Sequence, residues 1–225
     1  MKIVILAAGK GTRLLPLTQS TPKPLLRFGG QTILDHTFKA LPAAIDEAVI
    51  VINYLGEQIK DYCGASFHGR PINYVEGQTK GTGFDLLAAR DYIGAGERFA
   101  IAYADEVFNA DSLKKCLQHK YSWLCFPVAP ERARQSGIPT LDEFGKIIGV
   151  VEKPANPATN IVLNGFMVVN SDIFSYNLVP HPNGEYYLTD LMANFIKNYD
   201  VYAVVGPEQP GLTRPEDLEN LNKYY

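Results

Sequence analysis

Near the amino terminus, Leu6-Ala7-Ala8-Gly9-Lys10-Gly11-Thr12-Arg13-Leu14 is followed by Pro16, Thr18 and Pro22-Lys23-Pro24-Leu25. Small residues and glycines let a backbone come close to a ligand, and successive N–H groups can cradle phosphate oxygens. Arg13 and Lys23 supply the positive charge that a polyphosphate needs, and the prolines stiffen the loop around them. Two commoner glycine motifs do not fit. In the dinucleotide fingerprint Gly-x-Gly-x-x-Gly, Leu14 stands where the third glycine belongs, and prolines interrupt the helix that should follow. The P-loop fails because Gly11 follows Lys10 and Val4 occupies the upstream glycine position.

Other positions carry chemistry further along. Asp105 closes Ile101-Ala102-Tyr103-Ala104-Asp105, at the carboxyl end of an apolar run, where ligand crevices form in open α/β sheets. Taken alone, such an acid is equally a helix cap or turn former. Glu76-Gly77-Gln78-Thr79-Lys80-Gly81-Thr82-Gly83 reads as a strand-to-helix turn whose glycines could serve a ligand or only the turn. Ser136-Gly137-Ile138, Val151-Glu152-Lys153-Pro154 and Leu163-Asn164-Gly165-Phe166 are polar punctuations of apolar strands. Glu152-Lys153 by itself could be a surface charge pair.

The elements that must position these residues alternate. Lys2 to Leu6, Ala48 to Ile52, Ile72 to Val75 and Phe99 to Tyr103 are short apolar runs that read as buried strands. Between them lie helical spacings over Ile33 to Leu41, Gln58 to Tyr62 and Phe84 to Tyr92. That alternation predicts a Rossmann-like three-layer α/β/α fold with a mixed, mainly parallel central sheet. After Val128 the pattern changes. Ile138 to Leu141 and Lys146 to Val151, joined through Gly145, predict a hairpin, followed by a strand over Ile161 to Val169. A helix over Leu188 to Lys197, a strand over Val201 to Val205 and a last helix over Arg214 to Tyr224 complete the chain. Thr213-Arg214-Pro215-Glu216 has capping-box order. No linker interrupts the 225 residues, so a single domain is expected, with a first half over about 1–128 and a second over about 129–225.

Composition narrows the function. Net charge is −3 with no dense run of Lys and Arg, which argues against nucleic acid as a partner. No apolar stretch is long enough for a membrane span and no signal-peptide layout is present, so a cytoplasmic address is expected. The three cysteines, Cys63, Cys116 and Cys125, form no Cys-x-x-Cys pair and read as buried reduced thiols.

The first motif, with its Pro-Lys-Pro-Leu sequel, resembles the signature of the sugar-phosphate nucleotidyltransferase family, and the resemblance extends over essentially the whole chain. It implies transfer of a nucleoside monophosphate from a nucleoside triphosphate to a sugar 1-phosphate, with release of pyrophosphate and with Mg²⁺ as cofactor. By the resemblance, Leu6, Ala7, Ala8, Gly9, Gly11, Thr12 and Arg13 wrap the nucleotide, and Arg13 and Lys23 hold the triphosphate. Gly81 and Thr82 lie along the base, and Glu76 falls at the base-reading position. A carboxylate only accepts hydrogen bonds, so Glu76 leans towards guanine, which offers two N–H groups on one edge. Asp105 would bind the metal, although Ala104 replaces the family's glycine before it. Gly137, Glu152, Lys153 and Asn164 would contact the sugar phosphate.

Thr213 departs from the family pattern, standing where relatives carry an Asp or Asn as second metal ligand. Asn183 to Asp190 resembles a segment of uridylyltransferases that also carry an acetyltransferase β-helix; the chain ends at Tyr225, so that second activity is not expected. Two rivals stay open: a cytidylyltransferase for a non-sugar phosphate such as phosphocholine, and a non-catalytic nucleotide or sugar-nucleotide sensor. The base, the sugar and homo-oligomerisation are left open as well.

Overall fold

The protein was analysed as a computed structural model, which describes residues 1–208, 212 and 214–224. Strand β1 (Lys2–Ala7) leads into the glycine- and proline-rich loop. A two-residue pair, β2 (Arg27–Phe28) and β3 (Gln31–Thr32), then delivers the chain to α1 (Ile33–Ala40). Next come β4 (Glu47–Ile52), α2 (Gly56–Cys63), β5 (Ser66–Phe67), β6 (Arg70–Glu76), α3 (Thr82–Ala88) and β7 (Arg98–Tyr103). The second half runs α4 (Ala110–Gln118), β8 (Ser122–Pro127), α5 (Pro130–Ala133), β9 (Gly137–Leu141), β10 (Ile147–Glu152) and β11 (Ile161–Asn170). It closes with α6 (Leu188–Asn198), β12 (Tyr202–Val205) and α7 (Pro215–Tyr224).

Eight strands form one sheet in the order β12-β8-β11-β7-β1-β4-β6-β5. β1 lies parallel to both β4 and β7, whereas β11 is antiparallel to β7 and β8, and β5 to β6. The sheet is mixed and mainly parallel, as the alternation predicted. Side chains alternate across each strand. Ile3, Ile5 and Ala7 of β1 pack with Leu34 and Phe38 of α1, Ile59 of α2 and Leu113 of α4. Val4, Leu6 and Ala8 pack with Leu86 of α3 and Leu188, Leu191 and Phe195 of α6. Helices therefore cover both faces, and β1 is buried at the centre of three layers.

Local chemistry fixes the helix starts. Thr32 and Asp35 form a reciprocal capping box at α1: the Thr32 hydroxyl accepts from the Asp35 amide at 3.0 Å and the Asp35 carboxylate accepts from the Thr32 amide at 2.9 Å. Asp35 also bonds the Tyr62 hydroxyl at 2.7 Å and His68 Nε2 at 2.9 Å. Burial works against the charge, yet the bonds from His68, Tyr62 and Thr32 hold its carboxyl far below the usual range.

Three elements differ from expectation. The helix predicted over Phe84 to Tyr92 starts earlier, at Thr82, and ends at Ala88, before a separate turn at Arg90–Tyr92. Helix α4 and strand β8, which the periodicity did not reveal, complete the second half. Pro215 opens α7 as predicted, and the Arg214 amide bonds the Asp217 carboxylate there at 2.8 Å. Thr213, and with it the readings of a cap or a metal position, lies outside the described residues. All three cysteines are buried and free. No helix among the described residues is long and apolar enough to cross a membrane.

Candidate active site

The carboxyl ends of β1 and β7, with the turn after β6, open onto a cavity of about 750 Å³. Leu6, Ala7, Ala8, Gly9, Gly11, Thr12 and Arg13 line one wall. Gly11 has φ +63, and a Cβ built on it would lie 3.0 Å from Thr18 Cγ2 and 3.3 Å from Lys23 Cβ. Thr18, fully buried, donates its hydroxyl to the Gly11 carbonyl at 2.9 Å. The glycine is thus demanded by both its dihedral and its neighbours. This packing brings Lys23 over the strand ends. Lys23 is 8% exposed, and its Nζ donates to Asp105 Oδ2 at 2.7 Å. Arg13 stays exposed on the same cavity.

At the far end, Gly137, Glu152 and Asn164 line the cavity. β9 and β10 pair Gly137 with Glu152, and a Cβ at Gly137 would sit 3.2 Å from Glu152 Oε2, so the glycine leaves that carboxylate its room. Asn164 is 3% exposed and its Oδ1 has no hydrogen-bond partner. Its Nδ2 donates to Glu106 Oε2, which also accepts from the Gly165 amide at 3.1 Å. Burial, then the neighbouring Asp105 charge, push the Glu106 carboxyl up to about 7. Glu106 was not singled out in the sequence. Its signal was available: it directly follows the candidate metal ligand, before the apolar pair Val107-Phe108.

Lys153 is not brought to the cavity. It ends β10 at φ +45, pairs with Glu152 at 3.6 Å, and lies over the Tyr187 ring at 5.1 Å, half exposed. Its left-handed backbone, just past the open end of the hairpin, carries the side chain to the Tyr187 ring.

Between the two ends, Gly81 and Thr82 line the cavity and also lock two parts of the chain together. The Gly83 amide donates to the Tyr186 carbonyl at 2.9 Å, and the Tyr186 amide to the Lys80 carbonyl at 2.8 Å. A Cβ at Gly81 would lie 2.5 Å from the Tyr186 carbonyl oxygen. Thr82 accepts from the Leu188 amide at 3.0 Å and also bonds the buried Tyr103 hydroxyl, whose pKa burial drives strongly upward.

Glu76, the expected base reader, does not line this cavity. It is exposed at the end of β6 and faces a second cavity of about 450 Å³ beside α2, because strand alternation turns it from the sheet face that α3 covers. Gln78 and Asp85 line the main cavity there instead. Asp85 stands with Leu86 and Ala89 on the buried side of α3, an acid on an apolar stripe.

The model of the Nucleotidyl transferase family matches residues 2–209. The chain belongs to this family. Among curated nucleotidyl transferase relatives, the bifunctional protein GlmU of Methanocaldococcus jannaschii is 32% identical over 229 residues, covering 100% of this chain and 54% of that protein. The chain thus spans about half the length of the GlmU relatives it matches. The UTP–glucose-1-phosphate uridylyltransferase AglF of Haloferax volcanii is 33% identical over 207 residues, 88% of this chain and 84% of AglF. A solved UDP-glucose pyrophosphorylase, crystallised with UDP-glucose, superposes with a TM-score of 0.88 at 24% identity, covering 100% of this chain and 97% of that one. A putative glucose-1-phosphate thymidylyltransferase of Bacillus anthracis gives 0.87 at 23% identity, covering 100% and 94%. At those identities the two structures establish the nucleotidyl transferase fold.

Proposed function

We propose that this nucleotidyl transferase moves a nucleoside monophosphate from a nucleoside triphosphate to a sugar 1-phosphate and releases pyrophosphate. The observation that carries the reading is the placing of the charges. Arg13, Lys23 and Asp105 sit mid-cavity, between a glycine-rich wall and a polar end bearing Glu152 and Asn164. The nucleotide takes the first region and the sugar phosphate the second, so the chain acts as one domain with two half-sites.

A sugar-phosphate oxygen attacks the α-phosphorus in line, and the bond to the pyrophosphate oxygen breaks. The nucleophile is already an anion, so no general base is required. Backbone amides around Gly9 and Gly11 hold phosphate oxygens, and Arg13 and Lys23 offset the charge that builds on the reacting phosphates. Gly137 leaves room at Glu152, whose carboxylate accepts from sugar hydroxyls, and Asn164 lines the same end of the cavity. Hydroxyl-binding groups of this kind favour a sugar over phosphocholine.

Mg²⁺ is the cofactor the reading calls for. Asp105 offers a hard oxygen donor whose side chain is 41% exposed, and Mg²⁺ accepts a single protein carboxylate when phosphate and water oxygens fill its other positions. The donor set fits, with Asp105 as the protein ligand; when bound, the ion would neutralise triphosphate charge. Lys23 holds the Asp105 carboxylate in place meanwhile. The substrates are cytoplasmic metabolites, and the reading keeps that address.

The test is incubation with ATP, GTP, CTP, UTP and dTTP against a panel of sugar 1-phosphates in Mg²⁺, with pyrophosphate release and product mass as readouts. A nucleotide sugar formed reversibly is the expected result. Nucleotide binding without product from any pair would favour a sensor.

A further inference from the structure

We infer that the Arg132 guanidinium, and not the Lys153 ammonium, binds the phosphate of the sugar 1-phosphate. This rests on the proposed transfer reaction and names the cation of its acceptor half-site.

The cations on the cavity wall are unevenly placed. Lys10, Arg13 and Lys23 come from the glycine-rich loop and the segment after it, where the triphosphate is held. Among the described residues, Arg132 is the single cavity-lining cation supplied by the second half of the chain. The wall also carries four acids, Asp105, Glu106, Glu152 and Glu185. Carboxylates suit sugar hydroxyls, which donate to them, but they repel a phosphate. An acceptor that bears both groups needs a cation at this end. Lys153 does not line the cavity and sits over the Tyr187 ring.

Arg132 is held in place by its surroundings. It belongs to the short helix α5, and its carbonyl accepts from the Gln135 amide at 3.0 Å and from the Ser136 hydroxyl at 3.1 Å. Those bonds fix the turn into Gly137, which β9 pairs with Glu152 of β10. The arginine is thus tied to the strand pair that carries the proposed sugar-binding carboxylate. Its guanidinium lies over the Phe126 ring, 5.1 Å from the centroid, and Phe126 lines the same cavity. An aromatic face attracts the cation while its in-plane N–H groups remain donors. The charges of Lys23 and Arg132 both draw the Glu106 carboxyl down, against burial and Asp105. One carboxylate on the wall is therefore within electrostatic reach of both cations. The acceptor oxygen must meet the α-phosphorus beside Lys23, so a phosphate arriving from the sugar end lies in the field of Arg132 as well. A guanidinium fork matches two phosphate oxygens at once, which an ammonium cannot do.

The experiment is titration calorimetry on the whole chain in Mg²⁺, with the nucleotide half-site filled by the α,β-methylene analogue of the tightest-binding triphosphate. The panel of sugar 1-phosphates is titrated first, and the tightest binder is then compared with its free sugar. Wild type, Arg132→Gln, Arg132→Lys and Lys153→Gln are each checked by their thermal transitions. Arg132→Gln should weaken the sugar 1-phosphate about 30-fold, the loss of a charge-assisted contact, and leave the free sugar and the nucleotide within about twofold. Arg132→Lys should recover part of that loss, and Lys153→Gln should change the affinity less than about twofold. A wild type that binds no member of the panel overturns the inference. So does an Arg132→Gln variant that weakens free sugar and sugar phosphate alike, or a larger loss in Lys153→Gln than in Arg132→Gln. If Arg132→Gln does not fold, the ratio of sugar phosphate to free sugar in Arg132→Lys decides in the same way. The two readings fail separately. Phosphate binding that depends on Arg132 without any nucleotide sugar formed would refute the transferase and keep this assignment; turnover with an unchanged KM for the sugar 1-phosphate in Arg132→Gln would do the reverse.

Discussion

The Lys23 ammonium lies 2.7 Å from the Asp105 carboxylate, joining residues 82 apart in sequence at the point where the glycine-rich loop meets the end of β7. One member is nearly buried and the other is open to the cavity. Lys23→Ala should lower kcat by about 100-fold or more, since an oriented cation on reacting phosphates is worth several kcal/mol in a sequestered site. The melting temperature should change little, because Asp105 is open to the cavity and water can solvate its carboxylate once the lysine is gone. Steady-state pyrophosphate release alongside a thermal melt checks both; near-normal turnover in the folded variant would remove Lys23 from the mechanism.

Glu106 is expected to act through Asn164. The bond from Asn164 Nδ2 to Glu106 fixes the orientation of the Asn164 amide at the cavity wall. Glu106→Ala should raise KM for the sugar phosphate about tenfold, the worth of one buried hydrogen bond, and leave KM for the nucleotide within about twofold. Glu106→Gln, which can still accept from Asn164, should recover most of the loss. Equal effects on both substrates would assign Glu106 to the scaffold.

Gly11→Ala tests the loop. The substitution meets φ +63 together with contacts at 3.0 and 3.3 Å to Thr18 and Lys23. A loss of about 1–2 kcal/mol of stability is expected, with kcat falling as Lys23 is displaced. Urea unfolding gives the first quantity. An unaffected kcat would show that the loop reshapes without moving the lysine.

Asp35 supplies a pH dependence away from the site. Its pKa is depressed in the fold from an ordinary value of 3.8, so its stabilisation is complete above that pH and is lost as pH falls towards the folded value. Asp35→Asn should therefore lower stability by about 1–2 kcal/mol at pH 7 through the lost cap and hydrogen bonds. The gap to wild type should close only below about pH 4. A gap that shrinks already between pH 7 and 5 would contradict this, and melts across that range decide.

The parts of the fold carried by short-range pattern were legible. The strands that form the sheet centre, the hairpin with its glycine, and α6 follow from runs and spacings contained within a dozen residues. Strand β8 was not. Ser122-Trp123-Leu124-Cys125-Phe126-Pro127 carries two aromatics, a thiol and a proline rather than a β-branched run, and its partners β11 and β12 are distant in sequence. At the candidate site, the glycine-rich loop and Asp105 were legible because chemistry and local motif coincide. The placing of Glu76 outside the main cavity was not legible, because which face of a strand a side chain takes near a turn depends on register, and register is settled by tertiary packing.

The backbone clamp between residues 80–83 and Tyr186 has a bearing on how such a cavity can diversify. Its hydrogen bonds involve main-chain groups of Lys80, Gly83 and Tyr186, and the fit at Gly81 depends on a missing side chain. The turn after β6 and the segment before α6 are thereby held like the jaws of a caliper locked at one width. No ordinary side-chain substitution on the cavity wall removes those main-chain bonds. Side chains on the cavity wall can then change what the cavity holds, while the spacing between those two segments is inherited unchanged.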